Sequence, residues 1–566
     1  MIPPVMSAPE AAAEGERERL ARPHSDSESE GEIERRALLD AAPDAPVLRP
    51  LTAAYRARLD NAGLPEQPLP RAEKLRLEAH NRNLLEEDLS AGRVEFRSRP
   101  RVVELQLSNF CNMSCTMCYD GENPKLLKLD EKLVLALAED LFPTASVFIP
   151  FATSEPLIVT WDLTRKLALA YDVELELTTN VQFLDEKKTA EVEPHIGLIA
   201  FSIDSHLRDV YEAIRLNSRP DKVFANLPVA AKALGDKGVE VVTNIVFMVE
   251  NAPFIDRTVA WLADHGVRSV HIQKLFYNKP RTAYSDPTVH FSKEWIDWMK
   301  ERVRRVAREK KIKVSLDFDH HEVVDCLPPE VKFRANRTRD LWLERLRRHY
   351  PGYCPQSIYR FKVDADGNAY PCCVGVGDRL KLGNLYEQSF EEIWNGPSSQ
   401  DLRRGMLTQD LPVVCRSCNF RTGPIMAEVP QMPFCDLHFV WLESHADRWT
   451  IPLLGPDHLA RLETPPTIHW GAAPDSVDRY EVVLSRGGEA PDYVVSVPGD
   501  QRSWTIPADV WAAFPFHMAF WWSVWGINDA DRRLSFRGHA VRALIRHQDL
   551  PRIPGSALDY DGPSEH

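Results

Sequence analysis

Two adjoining stretches decide how this chain is read: Val102-Val103-Glu104-Leu105-Gln106-Leu107, and Cys111-Asn-Met-Ser-Cys115-Thr-Met-Cys118 just beyond it. The first alternates as a strand. The second spaces three cysteines as Cys-x3-Cys-x2-Cys on the loop that follows, so that three thiolates can converge on one metal centre. Thiolates hold iron–sulfur clusters, which usually take four ligands, and three would leave one iron open. A zinc site completed from elsewhere in the chain is the competing reading of that spacing.

Outward from this loop, strands and helices alternate. Helical patterns fall at Glu131 to Leu141, Leu163 to Ala170, Leu184 to Val192, Lys222 to Leu234 and Phe254 to His265. Strand patterns fall at Val147 to Ile149, Val173 to Leu177, Ile199 to Ile203, Val239 to Val249 and Ser269 to Leu275. Such alternation implies an α/β domain with a mostly parallel sheet, a partial (β/α)6 barrel over 101–320. Active sites of such sheets lie at the carboxyl ends of the strands.

The flanks differ. Residues 1–70 begin rich in Ala, Glu, Pro and Ser and are expected to be a disordered acidic tail. A helical segment follows over 71–100. From 321 to 440 the alternation stops, and seven of the chain's 10 cysteines appear. That stretch is expected to be a small cysteine-rich α+β domain. Residues 463–548 turn all-strand, with Trp470, Tyr480 and Trp522 as core aromatics resembling those of a fibronectin type III sandwich. Residues 549–566 are expected to be a C-terminal tail.

Composition narrows the function classes. A net charge of −14 disfavours a nucleic-acid partner. The basic stretch Lys300 to Lys313 reads as a solvated helix face. No apolar run reaches membrane-spanning length. The opening Met1-Ile-Pro-Pro lacks a secretory pattern, so a cytoplasmic protein is expected, and its cysteines point to metal or redox chemistry rather than disulfides.

Further motifs fall in order on the barrel strands. Thr153-Ser154-Glu155-Pro156 follows the second strand, Thr179-Asn180 ends the third, Ser202-Ile203-Asp204 ends the fourth, and Tyr211-Glu-Ala-Ile-Arg215 comes after it. Together with the cysteine loop they resemble the radical S-adenosylmethionine (SAM) superfamily. Thr153 and Ser154 stand where that family has two glycines. The resemblance implies a [4Fe–4S] cluster on Cys111, Cys115 and Cys118, with Glu155, Asn180, Ser202, Asp204 and Arg215 binding SAM and Arg215 pairing with its carboxylate. It also implies reductive cleavage of SAM to a 5′-deoxyadenosyl radical, which abstracts hydrogen from substrate.

A second constellation is Cys354, then Gly367-Asn-Ala-Tyr-Pro-Cys372, then Cys415-Arg-Ser-Cys418. It resembles the auxiliary-cluster domains called SPASM and twitch. The span from Asn419 to Phe434 has no cysteine, so the match is to the shortened, four-cysteine form, implying one further [4Fe–4S] cluster. A structural zinc ribbon is the alternative. Cys326, Cys373 and Cys435 read as buried thiols, with Cys373 able to replace its neighbour. His320-His321 reads as surface loop, since adjacent strand residues point to opposite faces.

The resemblance implies a redox-active enzyme whose auxiliary cluster aids oxidation or epimerisation of a small molecule such as a sugar or aminocyclitol. A peptide or protein maturase (ribosomal-peptide or sulfatase type) is the alternative, and a non-catalytic zinc scaffold is the second. The expected partners are a small-molecule or peptide substrate and a flavodoxin- or ferredoxin-type electron donor. Catalytic acids and bases are not legible.

Overall fold

The computed structural model describes residues 53–118, 126–150, 154–275, 287–317, 321–333, 350, 353–373, 375, 380–416, 418, 450–473, 476–486, 491–528, 536–538 and 542–560. Thr153, His320, Cys435, 1–52, the 419–434 span and 561–566 lie outside these residues.

Helices α1 (Ala53–Asn61) and α2 (Arg71–Ser90) precede strand β1 (Val102–Leu105). Then come α3 (Glu131–Leu141), β2 (Val147–Ile149), α4 (Trp161–Tyr171), β3 (Glu174–Thr179), α5 (Glu186–Val192) and β4 (Ile196–Ser202). Next are α6 (Arg208–Ile214), α7 (Pro220–Asp236), β5 (Glu240–Phe247), α8 (Ile255–Asp264) and β6 (Ser269–Lys274). The caps follow from residue type. Asp130 accepts from Leu133 N–H at 3.1 Å to start α3, and Pro220 opens α7, where a missing N–H costs nothing.

Strands β1 to β6 pair in parallel in that order, as the alternation predicts. The two faces of the sheet differ. Leu175, Leu177, Ile199, Val241, Ile245 and Ile272 are buried in the main core. The alternate residues Glu176, Thr178, Ser202, Asn244, His271 and Gln273 are half-buried and polar. The period of two thus sends one row into the apolar core and leaves the other as a polar face.

Three expected boundaries need correction. The sheet does not end at residue 320: after α9 (Lys293–Lys310), β7 (Lys313–Asp317) joins β6 in parallel and β8 (His321–Asp325) folds back on it. At the other edge, β9 (Arg360–Val363) pairs in parallel with β1, aligning Val102 with Arg360 and Leu105 with Val363. The hairpin β9, β10 (Asn368–Tyr370) and β11 (Gly383–Asn384) therefore extends the barrel sheet, so the cysteine-rich region shares a sheet with the barrel. Within the supposed tail, 53–70 is ordered. α1 has no apolar stripe and is held by Arg58–Asp140 (2.6 Å), Lys132–Asp60 (2.8 Å) and the Tyr55 hydroxyl on the Leu385 carbonyl (3.0 Å).

The last correction is at 549–560, which is no loose tail. It lies against α12 (Pro397–Thr408), which among the described residues of the cysteine-rich region follows α10 (Pro355–Tyr359) and α11 (Phe390–Trp394). The basic stretch in α9, expected to be a solvated face, is instead laced with ion pairs to neighbouring elements. Arg304 meets Glu322 at 2.7 Å, Lys310 meets Asp264 at 2.6 Å, and Arg302 bonds Asp256.

Residues 450–546 form two sheets over a core of their own. Antiparallel β12 (Leu453–Gly455), β13 (Thr467–Trp470) and β16 (Ser503–Thr505) make one. In the other, β14 (Arg479–Ser485) lies between β15 (Tyr493–Pro498) and β17 (Ala519–Ile527). Strands β18 (Phe536–Gly538) and β19 (Arg542–Arg546) continue from β17. Trp470, Tyr480 and Trp522 are buried in this core, with the Trp470 and Tyr480 rings 5.5 Å apart. Among the described residues, no helix is long and apolar enough to cross a membrane.

Candidate functional site

The cysteine loop leaves β1 and is tied to its neighbours by backbone bonds. Ser114-Cys115 pairs antiparallel with Leu216-Arg215, Thr116 N–H donates to the Ile214 carbonyl at 2.9 Å, and Cys118 N–H closes a turn on Cys115 at 3.1 Å. The three thiols are half-buried. Burial pushes the Cys111 thiol up to about 12, aided by the nearby Glu155 charge. Burial also raises Cys115, and Arg215 opposes it.

Arg215 is buried, its Nε donating to Asp204 at 2.7 Å and its Nη1 lying 3.7 Å from the Cys115 sulfur. Burial works against its charge, but Asp204 and Cys115 outweigh it and hold the guanidinium protonated. Asp204 is fully buried. One oxygen takes Arg215 and the other the Val246 N–H at 2.9 Å, so it holds Arg215 in place.

Glu155 joins the second strand's loop to the third strand's end. Its carboxylate accepts from the Thr179 hydroxyl and the Asn180 N–H, both at 2.8 Å, and from Leu157 N–H at 3.3 Å. Burial nevertheless lifts it to about 7. Its own N–H donates to Phe110, beside Cys111, at 3.1 Å. Asn180 reaches the cysteine loop directly, its Nδ2 donating to Asn112 Oδ1 at 2.8 Å. Next to it, Val181 sits at φ +69°, a left-handed conformation costly for a β-branched residue. Asn226 holds it there by donating to the Val181 and Gln182 carbonyls, both at 3.1 Å. Ser202 ends β4 beside Asn244, half-buried.

The structure thus gathers Cys111, Cys115, Cys118, Glu155, Asn180, Asp204 and Arg215 around one loop, with Ser202 at the end of β4, while Thr153 lies outside the described residues. It adds three that the sequence did not single out: among the described residues, Asn112 Nδ2, Thr116 Oγ and the Tyr211 hydroxyl are buried without a hydrogen-bond partner. Tyr211 interacts electrostatically with Arg215, Asp204, Cys115 and Glu155. Buried polar groups usually find partners, so orphans here fit a polar ligand held against the cysteine loop. Tyr211 lay in a quoted motif, but nothing in the sequence singled out its hydroxyl.

The second group of cysteines surrounds one small cavity. Cys354, Cys372, Cys415 and Cys418 line it, and so does Cys373, with apolar Leu380, Leu402, Met406 and Val414 between them. Cys373 is half-buried in that wall and not in the apolar core, because the turn after β10 carries both neighbours to the cavity. Cys326, also expected to be buried, is half-buried after β8. Burial pushes the Cys354 thiol up to about 11. Gly367 makes the turn into β10: it has φ +80°, and a Cβ there would lie 2.5 Å from the Tyr386 ring. Lys362 on β9 donates to the carbonyls of Cys373 (3.3 Å) and Gly375 (3.1 Å), and Arg360 pairs with Glu104 on β1 at 2.6 Å. Among the described residues, no three His, Cys, Asp or Glu side chains are grouped to hold a single metal ion. The thiols border a volume, which suits a cluster.

Parts of the chain are similar to known proteins. SPASM, an iron–sulfur cluster-binding domain, matches residues 354–419. A cysteine-type anaerobic sulfatase-maturating enzyme of Clostridium novyi (strain NT) is 22% identical over 379 residues, 61% of this chain and 94% of that enzyme. Among solved structures, Streptococcus suis SuiB bound to S-adenosylmethionine has a TM-score of 0.43 at 15% identity, covering 60% of this chain and 75% of that one. Native anSMEcpe with bound AdoMet and Cp18Cys peptide has a TM-score of 0.37 at 16% identity, covering 52% and 79%. The SPASM match places an iron–sulfur cluster-binding domain at 354–419, downstream of motifs that resemble those of the radical SAM superfamily, in a chain similar to the sulfatase-maturating enzyme over nearly all of that enzyme's length.

Proposed function

We propose that this enzyme matures a peptide or protein substrate. The observation that carries this reading is the similarity to a sulfatase-maturating enzyme across 94% of that enzyme's length. It favours a macromolecular substrate over the sugar or aminocyclitol expected from sequence. The polar face of the sheet, with Glu176, Thr178, Asn244 and His271, suits a hydrogen-bonding substrate of either kind.

When bound, SAM and its cluster supply one-electron abstraction of a hydrogen atom. In our reading Cys111, Cys115 and Cys118 hold that cluster. Arg215, fixed by Asp204, balances thiolate charge and turns its remaining N–H groups to the SAM carboxylate. Glu155, Asn180 and Ser202 shape the rest of the SAM site. Cys354, Cys372, Cys415 and Cys418 hold the auxiliary cluster, with Cys373 beside them. Because β9 is a strand of the barrel sheet, that cavity stands next to the polar face, where an electron acceptor for a substrate radical is useful. A flavodoxin- or ferredoxin-type donor in the cytoplasm completes the scheme. The 450–546 sheets are read as a fibronectin type III-like sandwich, from a three-stranded sheet facing a larger one.

The test is fractionation. An extract of cells lacking this enzyme is split into macromolecular and small-molecule fractions, and each is added to reconstituted enzyme, SAM and dithionite. Stimulated SAM cleavage by the macromolecular fraction, with a new mass shift on a peptide, is the expected result. Stimulation by the small-molecule fraction alone would overturn the proposal.

A further inference from the structure

The ligand turn at Cys415 is held from outside its own domain. Residues Val413–Cys415 form a single 3-10 turn after α12, and beyond it Cys418 also faces the cavity. A turn this short has little to fix it. Its first N–H, on Val413, donates to the Asp559 carbonyl at 2.9 Å. Arg416, the residue after Cys415, reaches the Tyr560 carbonyl with one guanidinium nitrogen and the Leu411 carbonyl, at 3.2 Å, with another. The turn is therefore gripped on both sides of Cys415 by the chain at 559–560.

That grip is itself anchored along α12. Ile553 N–H donates to Asp401 Oδ1 (3.0 Å), Ala557 N–H to the Ser398 hydroxyl (3.2 Å), and the Tyr560 hydroxyl to the Asp401 carbonyl (2.9 Å). Arg552 meets Asp410 at 2.9 Å, and Arg404 bridges Asp401 and Asp410 at 2.7 and 3.0 Å. Tyr560 is 3% exposed, with the Arg404 and Arg552 guanidinium groups 5.3 and 4.6 Å from its ring centre. Gly405 lets the segment come this close: a Cβ there would strike the Asp410 carbonyl and stand 2.9 Å from the Tyr560 hydroxyl. The same helix supplies Leu402 and Met406 to the cysteine cavity. One face of α12 thus lines the cavity, while other residues of the helix hold the segment.

We propose that segment 549–560 is a clamp that positions Cys415 and Cys418, with Tyr560 as its chief positioning residue, and so governs retention and potential of the auxiliary cluster. This rests on the reading of those cysteines as cluster ligands. Buried peptide bonds at the turn replace water, and the better the fold places the thiolates, the less of the binding free energy goes into ordering them.

The experiment uses the reconstituted full chain, the deletion of 552–566, Tyr560→Ala and Tyr560→Phe, read by iron content and by electron paramagnetic resonance with and without SAM. The wild type is expected to hold about eight irons per chain, as two four-iron clusters do. The deletion is expected to hold about four, keeping the SAM-perturbed signal of the barrel cluster. Tyr560→Ala is expected to shift the auxiliary signal and its midpoint potential, and Tyr560→Phe, which keeps the ring contacts, to restore most of both. If the deletion does not fold, Tyr560→Ala decides alone. An auxiliary signal and potential unchanged by Tyr560→Ala would overturn the proposal. A wild type with only the barrel cluster would instead remove the auxiliary-cluster reading beneath it.

Discussion

The two cysteine groups are built on opposite plans. In the barrel, three thiols lie within eight residues, from Cys111 to Cys118, on one loop tied to β1 and to the strand-like pair Arg215-Leu216. Their charge is met by Arg215, and orphaned polar atoms stand beside them. In the second group, thiols from Cys354 to Cys418 are brought together by β9, β10, α10, α12 and the 549–560 segment, around an apolar cavity. A loop whose ligands are local can be half-open and still keep its shape, which suits a site that must admit a small polar molecule. A cavity whose ligands come from distant elements depends on packing: Cys354 and Cys415 are buried and Cys372, Cys373 and Cys418 half-buried, which in the proposed reading suits a cluster that passes electrons.

The largest expected effect tests the barrel half of this comparison. It has no spare thiol, so Cys111→Ala, Cys115→Ala and Cys118→Ala should each abolish 5′-deoxyadenosine formation under dithionite while the auxiliary signal persists. SAM cleavage at the wild-type rate in any of them would break the comparison. Arg215→Ala comes next. It removes a buried cation and leaves Asp204 uncompensated, so SAM binding should weaken by about 2–4 kcal/mol by titration calorimetry, with reduced thermal stability. An unchanged dissociation constant would mean that Arg215 serves the thiolates alone.

The smallest effect is expected where the auxiliary cavity has a thiol to spare. Cys372→Ala should keep most of the auxiliary iron, because Cys373 lines the same wall. The double variant Cys372→Ala/Cys373→Ala should lose it. Equal loss in the single and double variants would show that Cys373 does not reach the cluster.

What could be read from sequence follows the same division. The barrel strands and the cysteine loop were legible because their signals are local: alternation over a few residues, and thiols spaced within one turn of chain. Pairing of β9 with β1 joins residues more than two hundred positions apart, and no periodicity encodes it. Residues 549–560 read as a tail because they contain prolines, glycine and aspartates, and because their bonds to the Cys415 turn run largely through backbone atoms. The sharing of a cavity wall by Cys372 and Cys373 depends on the backbone turn after β10, which adjacency in sequence leaves open. At the proposed SAM site, motif order pointed to Arg215 and Asp204. That Asp204 spends both oxygens on Arg215 and Val246 appeared only in three dimensions.

In the reading proposed above, one chain carries two independently held clusters. That reading is tested most directly by counting iron and sulfide in anaerobically reconstituted wild type and in the variant with Cys354, Cys372, Cys373, Cys415 and Cys418 all replaced by Ala. The account predicts a fall from about eight irons per chain to about four, with the SAM-perturbed resonance of the barrel cluster and uncoupled SAM cleavage both retained. A folded variant with undiminished iron would contradict it.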